Sequence, residues 1–294
     1  MPRLLAPGQH ARLWRIAVPS GERTLLAEST ATLFEAPNWT PDGLWLVVNA
    51  DGLLFRVAAD GGALEPIEAA GLPPVNNDHV LSPDGATIYA SADDGHLYAV
   101  DLAAGRARRI TENRESGFLH FLHGVSPDGQ TLAFIGLAIN GTTPGVGSVF
   151  TVPITGGPAT RLTDDDAHND GAEFTPDGES ILVNSERAST RPGHAQLFRM
   201  PATGGAAEQL TTDDRVNWFP HPSPDGRLIA YVSFPPGTLG HPADVDDVRI
   251  RLLEVSSGAI SDLVTVFGGQ GTMNVASWAP DSRSLAYVDY PVTP

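Results

Sequence analysis

Residues 169–178 read NDGAEFTPDG. The second half, TPDG, is a tight turn: proline presets φ at the first central position, and Asp and Gly suit the positions after it. The first half sets Asn169, Asp170 and Glu173 directly before that turn. The turn decides the fold because it recurs. It stands as TPDG at 40–43, SPDG at 82–85, SPDG at 126–129, TPDG at 175–178, SPDG at 223–226 and, degraded, APDS at 279–282. The prolines at 41, 83, 127, 176, 224 and 280 are 42, 44, 49, 48 and 56 residues apart. A period of that size marks an array of similar supersecondary units.

Each turn precedes a short apolar run: LWLVVNA, TIYASA, TLAFIGLA, SILVNSE, LIAYVSF and SLAYVDY. A second run follows most of them, for example GLLFRVAA, GHLYAVDL or GSVFTVPI. A Gly-rich turn and a short closing run such as RRIT, TRLT or EQLT come next. The runs are β-branched and turn-bounded, and none keeps a helical period. Four strands per unit is the pattern of a propeller blade. The sixth unit lacks its outer strands, and the N-terminus offers ARLWRIAV (11–18) and RTLLAES (23–29) to replace them. The expectation is therefore one all-β domain over 1–294, a six-bladed β-propeller. Its blades fall at about 32–70, 75–113, 118–164, 168–212, 215–266 and 272–290, the last closed by 10–30 so that no sheet edge stays open.

Composition narrows the function. The 294 residues carry a net charge of −17, which repels nucleic acid and anionic lipid. All 18 basic residues are arginine, so Schiff-base chemistry and a P-loop lysine are excluded. The absence of cysteine removes disulfides, thiolate nucleophiles and Cys-ligated zinc. No apolar stretch approaches the 18 residues of a membrane span. The N-terminus reads without a secretion signal, which predicts a cytoplasmic protein, and a monomer is expected.

The motif W/F-S/T-P-D-G before an apolar run, with L-T closing a unit, resembles the TolB-like six-bladed propellers, the PD40 branch of the WD40-like repeats. The resemblance covers about residues 10–290. It is closer still to stand-alone TolB-like proteins, which carry NDGAEFTPDG at 169–178, NWFPHPSPDG at 217–226 and GGQGTMNV at 268–275 as these segments stand here. It implies a propeller and leaves function open.

Aligned on the turn prolines, residues six or seven positions earlier are polar in five units. They are Glu35, Asn77, Asn169 with Asp170, Asn217 and Asn274. The third unit has His120 and Phe121 there. Residues two before the proline (Trp39, Leu81, Val125, Phe174, Pro222, Trp278) are mostly bulky and should pack between blades. Inner strands of a propeller line its axis, so these polar groups should converge at one tunnel mouth. The ligand-binding candidates are Asn169, Asp170, Glu173, Asn217, Trp218, His221, Arg251, Gln270 and Asn274. The catalytic candidates are His79, His123, Glu173 and His221.

Two function classes fit. One is a binding module for a small molecule, glycan, peptide or protein. The other is a metal-dependent enzyme, either a lactonase- or esterase-type hydrolase or an oligosaccharide lyase. Glu35, Asn77, Asp170, Asn217 and Asn274 are hard oxygen donors suited to Ca²⁺ or another divalent cation. The set His79, His123, His221 and Gln270 resembles the metal centre of oligogalacturonide lyases in composition. No G-x-S-x-G nucleophile elbow is present.

Overall fold

A computed structural model describes residues 3–112, 117–140 and 143–293. It contains strands and turns, with no helix among the described residues. No helix is long and apolar enough to cross a membrane. Six antiparallel sheets follow one another along the chain. Blade 1 is built from Phe34–Trp39, Trp45–Ala50, Leu53–Ala58 and Glu65–Pro66, inner to outer. Blades 2 to 5 begin with inner strands Val75–Leu81, Phe118–Val125, Asn169–Phe174 and Val216–Pro222. They run outward to Arg106–Arg109, Thr160–Arg161, Glu208–Gln209 and Ile260–Gly268. Successive inner strands pack on one another around the ring.

The sixth sheet takes its strands from both ends of the chain. Ser284–Asp289 pairs antiparallel with Ala11–Ala17, from Arg12↔Asp289 to Ala17↔Ser284. Arg23–Ser29 lies outside Ala11–Ala17. In the innermost place stands an irregular segment, 272–278, joined by the bridge Trp278↔Leu285 and by hydrogen bonds from Ala286 N–H to Ser277 O and from Val288 N–H to Thr272 O. Arg12 grips Asp289 with two hydrogen bonds of 2.9 and 2.8 Å, and the Trp14 indole donates to the same carboxylate.

The core is divided into six clusters, one at each junction between neighbouring blades. Trp218, Ile250, Trp278 and Tyr287 join blades 5 and 6; Phe34, Trp39, Val288 and Tyr290 join blades 6 and 1. Leu81, Phe174 and Trp278 belong to these clusters as the spacing predicted, and Val125 is partly buried beside one. Pro222 is half-buried instead and lines a surface groove between blades 4 and 5.

The recurrent turn has one chemistry. In five blades the Ser or Thr hydroxyl donates to the Asp two residues on, at 2.5–2.7 Å. The same Asp accepts from the backbone N–H two residues further. The hydroxyl in turn accepts from the N–H that starts the next strand. These bonds hold each turn carboxyl below the usual range. The Gly that follows sits at φ of 71–74° in all five, where a side chain is strained. Replacing Asp225 by Ala should cost about 1 kcal/mol, the net worth of the lost turn hydrogen bonds, and lower Tm by a few degrees without touching any ligand response. Urea melts of the variant check this.

A candidate ligand site on the axis

Each of the five inner strands is broken by a β-bulge at matching positions: between Glu35 and Asn38, Val75 and His79, Leu122 and Gly124, Asp170 and Glu173, and Trp218 and His221. A bulge re-aims the side chains on either side of it. Three residues at the bulge, Ala36, Gly171 and Phe219, take the left-handed conformation, with φ of 55°, 64° and 55°. The neighbouring blade holds the bulge in place. Leu122 N–H donates to Ser91 Oγ at 2.7 Å, Phe219 N–H to Asn184 Oδ1 at 3.0 Å, and Ala36 N–H to Gly271 O at 2.8 Å. At Gly171 a Cβ would sit 2.7 Å from Asn184 Oδ1, so the NDG stretch needs its glycine for a close approach as well as for φ.

The re-aimed residues enclose a cavity of about 370 Å³. Blade 2 supplies Asn76, Asn77 and Asp78, and blade 3 supplies Phe121 and His123 with Ile135 and Leu137 behind. His168 and Asp170 enter from blade 4, Phe219 and His241 from blade 5, and Gln270 and Asn274 from the segment leading into blade 6. A second cavity of about 480 Å³ adjoins it and shares Asn76, Asn77 and Gln270. Its other polar walls are Arg3, Glu35, Asn49, Asp51 and Asp93. Gln270 Nε2 donates to Asn77 Oδ1 at 3.2 Å on the ridge between them.

Charge in the first cavity is compensated from within the chain. His123 Nε2 lies 2.7 Å from Asp170 Oδ1, an ion pair by distance whose N–H is not aligned as a hydrogen bond. Burial pulls the imidazole down, but Asp170 outweighs it and pushes His123 up to about 9. Burial likewise opposes ionisation of Asp170, and His123 overrides it, holding the carboxyl at about 2. His241 Nε2 stands 3.7 Å from the other oxygen of Asp170, and its burial keeps it below the usual range. Asp78 is different. Burial lifts its carboxyl to about 6, with His123 pulling down and Asp170 and Glu35 pushing up. In the second cavity burial raises Glu35, and Arg3, 3.3 Å away, opposes that rise.

The structure sorts the sequence candidates. Asp170, Gln270, Asn77 and Asn274 share the first cavity, and His123 lines it beside Asp170. Glu35 lies in the adjoining one. Glu173 and His221 are buried, pair with each other at 2.6 Å and are not in the cavity wall; His221 Nε2 also meets Met273 O at 3.1 Å. His79 is completely buried with neither ring nitrogen bonded, and burial pulls it down to about 3.

The remaining candidates lie elsewhere. Asn169 faces away from the axis, donating to Ala167 O and accepting from Arg187. Asn217 is tied to Ser233, Gln196, Thr211 and Asp213 between blades 4 and 5. Trp218 is buried, with the His241 ring 4.5 Å from its own. Arg251 is engaged on the outer strands by Asp213 and Asp262. Of the five oxygen donors proposed for a cation, three therefore line one cavity. Among the described residues no group of three His, Asp or Glu is arranged to hold a metal. Sequence reasoning left out Asn76, Asp78, His168, His241 and Phe219 as site residues.

Fold and site together define a six-bladed propeller with a polar axial cavity. The TolB beta propeller domain family, PD40, matches residues 124–273. An uncharacterized protein of Agrobacterium fabrum is 38% identical over 267 residues, 89% of this chain and 86% of that one. The chain belongs to the TolB-like propeller family. Among solved structures, a TolB candidate from Agrobacterium tumefaciens aligns with a TM-score of 0.86 and 34% identity, over 97% of this chain and 99% of that one. Oligogalacturonate lyase in complex with manganese aligns at 0.59 with 12% identity over 98% of both chains, a likeness of fold alone.

Proposed function

We propose that the chain is a ligand-binding TolB-like propeller whose axial cavity takes a small polar molecule or the end of a glycan or peptide. The supporting observation is that five blades each contribute to one cavity of about 370 Å³ with an apolar wall, four carboxamides and perturbed acids. Convergent polar groups in a largely apolar pocket are what a ligand site requires. The volume suits one sugar ring or one to two amino-acid residues.

The test is a protein-observed NMR screen with amino acids, short peptides and mono- and disaccharides. Hits should map to Asn77, Phe219 and Asn274, and Gln270→Ala should weaken them at least tenfold. Hits that all map to other surfaces, or that ignore the substitution, remove this reading.

The metal-dependent enzyme remains the second reading, because Asn77, Asp170 and Asn274 do meet in one cavity. Against it, Asp170 already has His123 and Glu35 already has Arg3. Chelator-stripped protein is expected to show no rise in Tm with millimolar Ca²⁺, Mn²⁺ or Mg²⁺; a rise of several degrees would favour the enzyme, since a ligand that binds only the folded state stabilises it.

A further inference from the structure

We propose that this cavity selects a cationic ligand: a protonated amine on a short apolar stem, its ammonium group set against Asp78. The proposal rests on the cavity being a ligand site and names the chemistry it takes. The first argument is the position of Asp78. It is buried at the cavity wall and accepts from Asn76 Nδ2 at 2.7 Å. The nearby bases make their close contacts elsewhere: His123, which also attracts Asp78 through space, and His241 both turn to Asp170, and His168 Nδ1 accepts from Gly147 N–H. A buried carboxylate without its own cation is costly, and an ammonium ion placed against it relieves that cost.

The second argument is the shape of the lining. Phe121, Ile135, Leu137 and Phe219 give the cavity an apolar wall, and Asn76 and Asn77 line the same space with carboxamides. An alkyl stem lies along the first, and the aromatic faces attract the charged head. A bare divalent ion uses neither feature. It needs six or more oxygens, and Asn77 Oδ1 and Asn274 Oδ1 already accept from Gln270 and from Gly271 N–H.

The third argument is the approach. The adjoining cavity carries Glu35, Asp51 and Asp93 against one guanidinium, and Arg3 is already held by Glu35 and Asp244. With a net charge of −17 and no lysine, the whole field draws cations inward.

The experiment is calorimetry of the full chain at pH 7.5. The amine probes are 1,5-diaminopentane and the dipeptide lysyl-alanine; the controls are 1,5-pentanediol, glutarate, maltose and CaCl₂. Binding of either amine at least tenfold tighter than the diol, with no glutarate binding, supports the proposal, and the tighter amine distinguishes a free diamine from a peptide side chain. Asp78→Asn should remove the tenfold preference for the amines without lowering Tm; the wild-type comparison of amines with the diol and glutarate serves if the variant does not fold. Equal binding of the diol, CaCl₂ binding in place of the amines, or an Asp78→Asn variant with unchanged amine affinity overturns it. Maltose binding that depends on Gln270, with no amine binding, sinks the cationic inference and leaves the cavity a ligand site. No binding by any probe sinks the inference, and the site itself is then judged by the NMR screen.

Discussion

Deleting residues 1–30 will abolish the soluble monomer. Ala11–Ala17 lies between Ser284–Asp289 and Arg23–Ser29, so its removal strips a full ladder of backbone partners from Ser284–Asp289. Ala11, Leu13 and Ile16 are completely buried and Leu26 nearly so. Each large aliphatic side chain contributes about 1.5–3 kcal/mol by leaving water. Asp289, almost wholly buried, would also lose Arg12 and Trp14. Together these losses are comparable to the roughly 5–15 kcal/mol of a whole domain. Size-exclusion chromatography and thermal melts of the truncated chain decide it: a soluble monomer with an unchanged cooperative transition refutes the role assigned to this strand.

The second large effect is on pH dependence and runs through His123 and Asp170. His123 rises from 6.5 to about 9 on folding, so the folded state holds its proton more tightly. Its stabilisation is fully present below pH 6.5 and is lost as pH rises through about 9. A shift of that size corresponds to on the order of 3 kcal/mol. Asp170, held at about 2 by the same pair, contributes above pH 3.8 and loses that contribution as pH falls toward 2. His79, pulled from 6.5 to about 3, adds a loss as pH drops below 6.5. Asp78, raised from 3.8 to about 6, works against His79, since its contribution is lost as pH rises through about 6, so stability should peak near pH 6 and decline toward pH 9. In Asp170→Ala the alkaline decline should flatten, and stability at pH 7 should fall by on the order of 3 kcal/mol. Urea melts at pH 6, 7.5 and 9 on both proteins test this; a variant with the wild-type alkaline slope would assign that slope to other groups.

The repeated turn made the blades legible, because proline, aspartate and glycine at fixed offsets leave the backbone few choices. The site was legible by half, and the strand period explains which half. Residues six before each turn proline (Glu35, Asn77, Phe121, Asp170, Asn274) line the two cavities. In three blades the residues seven before it (His120, Asn169, Asn217) point the opposite way and are buried off the axis, because successive side chains alternate, whereas Asn76, on the bulged inner strand of blade 2, lines both cavities. Reading the two positions together mixed a functional face with a packing face. Asp78 falls within the bulge of its strand, between Val75 and His79, where the alternation breaks, and His123 falls within that of its own, between Leu122 and Gly124. Trp218 occupies a position six before its proline, yet His241 covers it. His241 comes from the insertion in blade 5, and neither period nor spacing foretells where such a loop returns.

The seam between Ala11–Ala17 and Ser284–Asp289 also orders events in time. Blades 1 to 5 each use one continuous stretch of chain, so their ladders close over short separations. The seam joins residues more than two hundred positions apart and carries the greatest loop-closure entropy in the molecule. During synthesis Ala11–Ala17, paired on one side with Arg23–Ser29, thus keeps its other edge open until Ser284–Asp289 has been made. For that interval the nascent chain has an unsatisfied β-edge, open to pairing with a second ribosome's product, and the risk of domain swapping is set by the rate of translation.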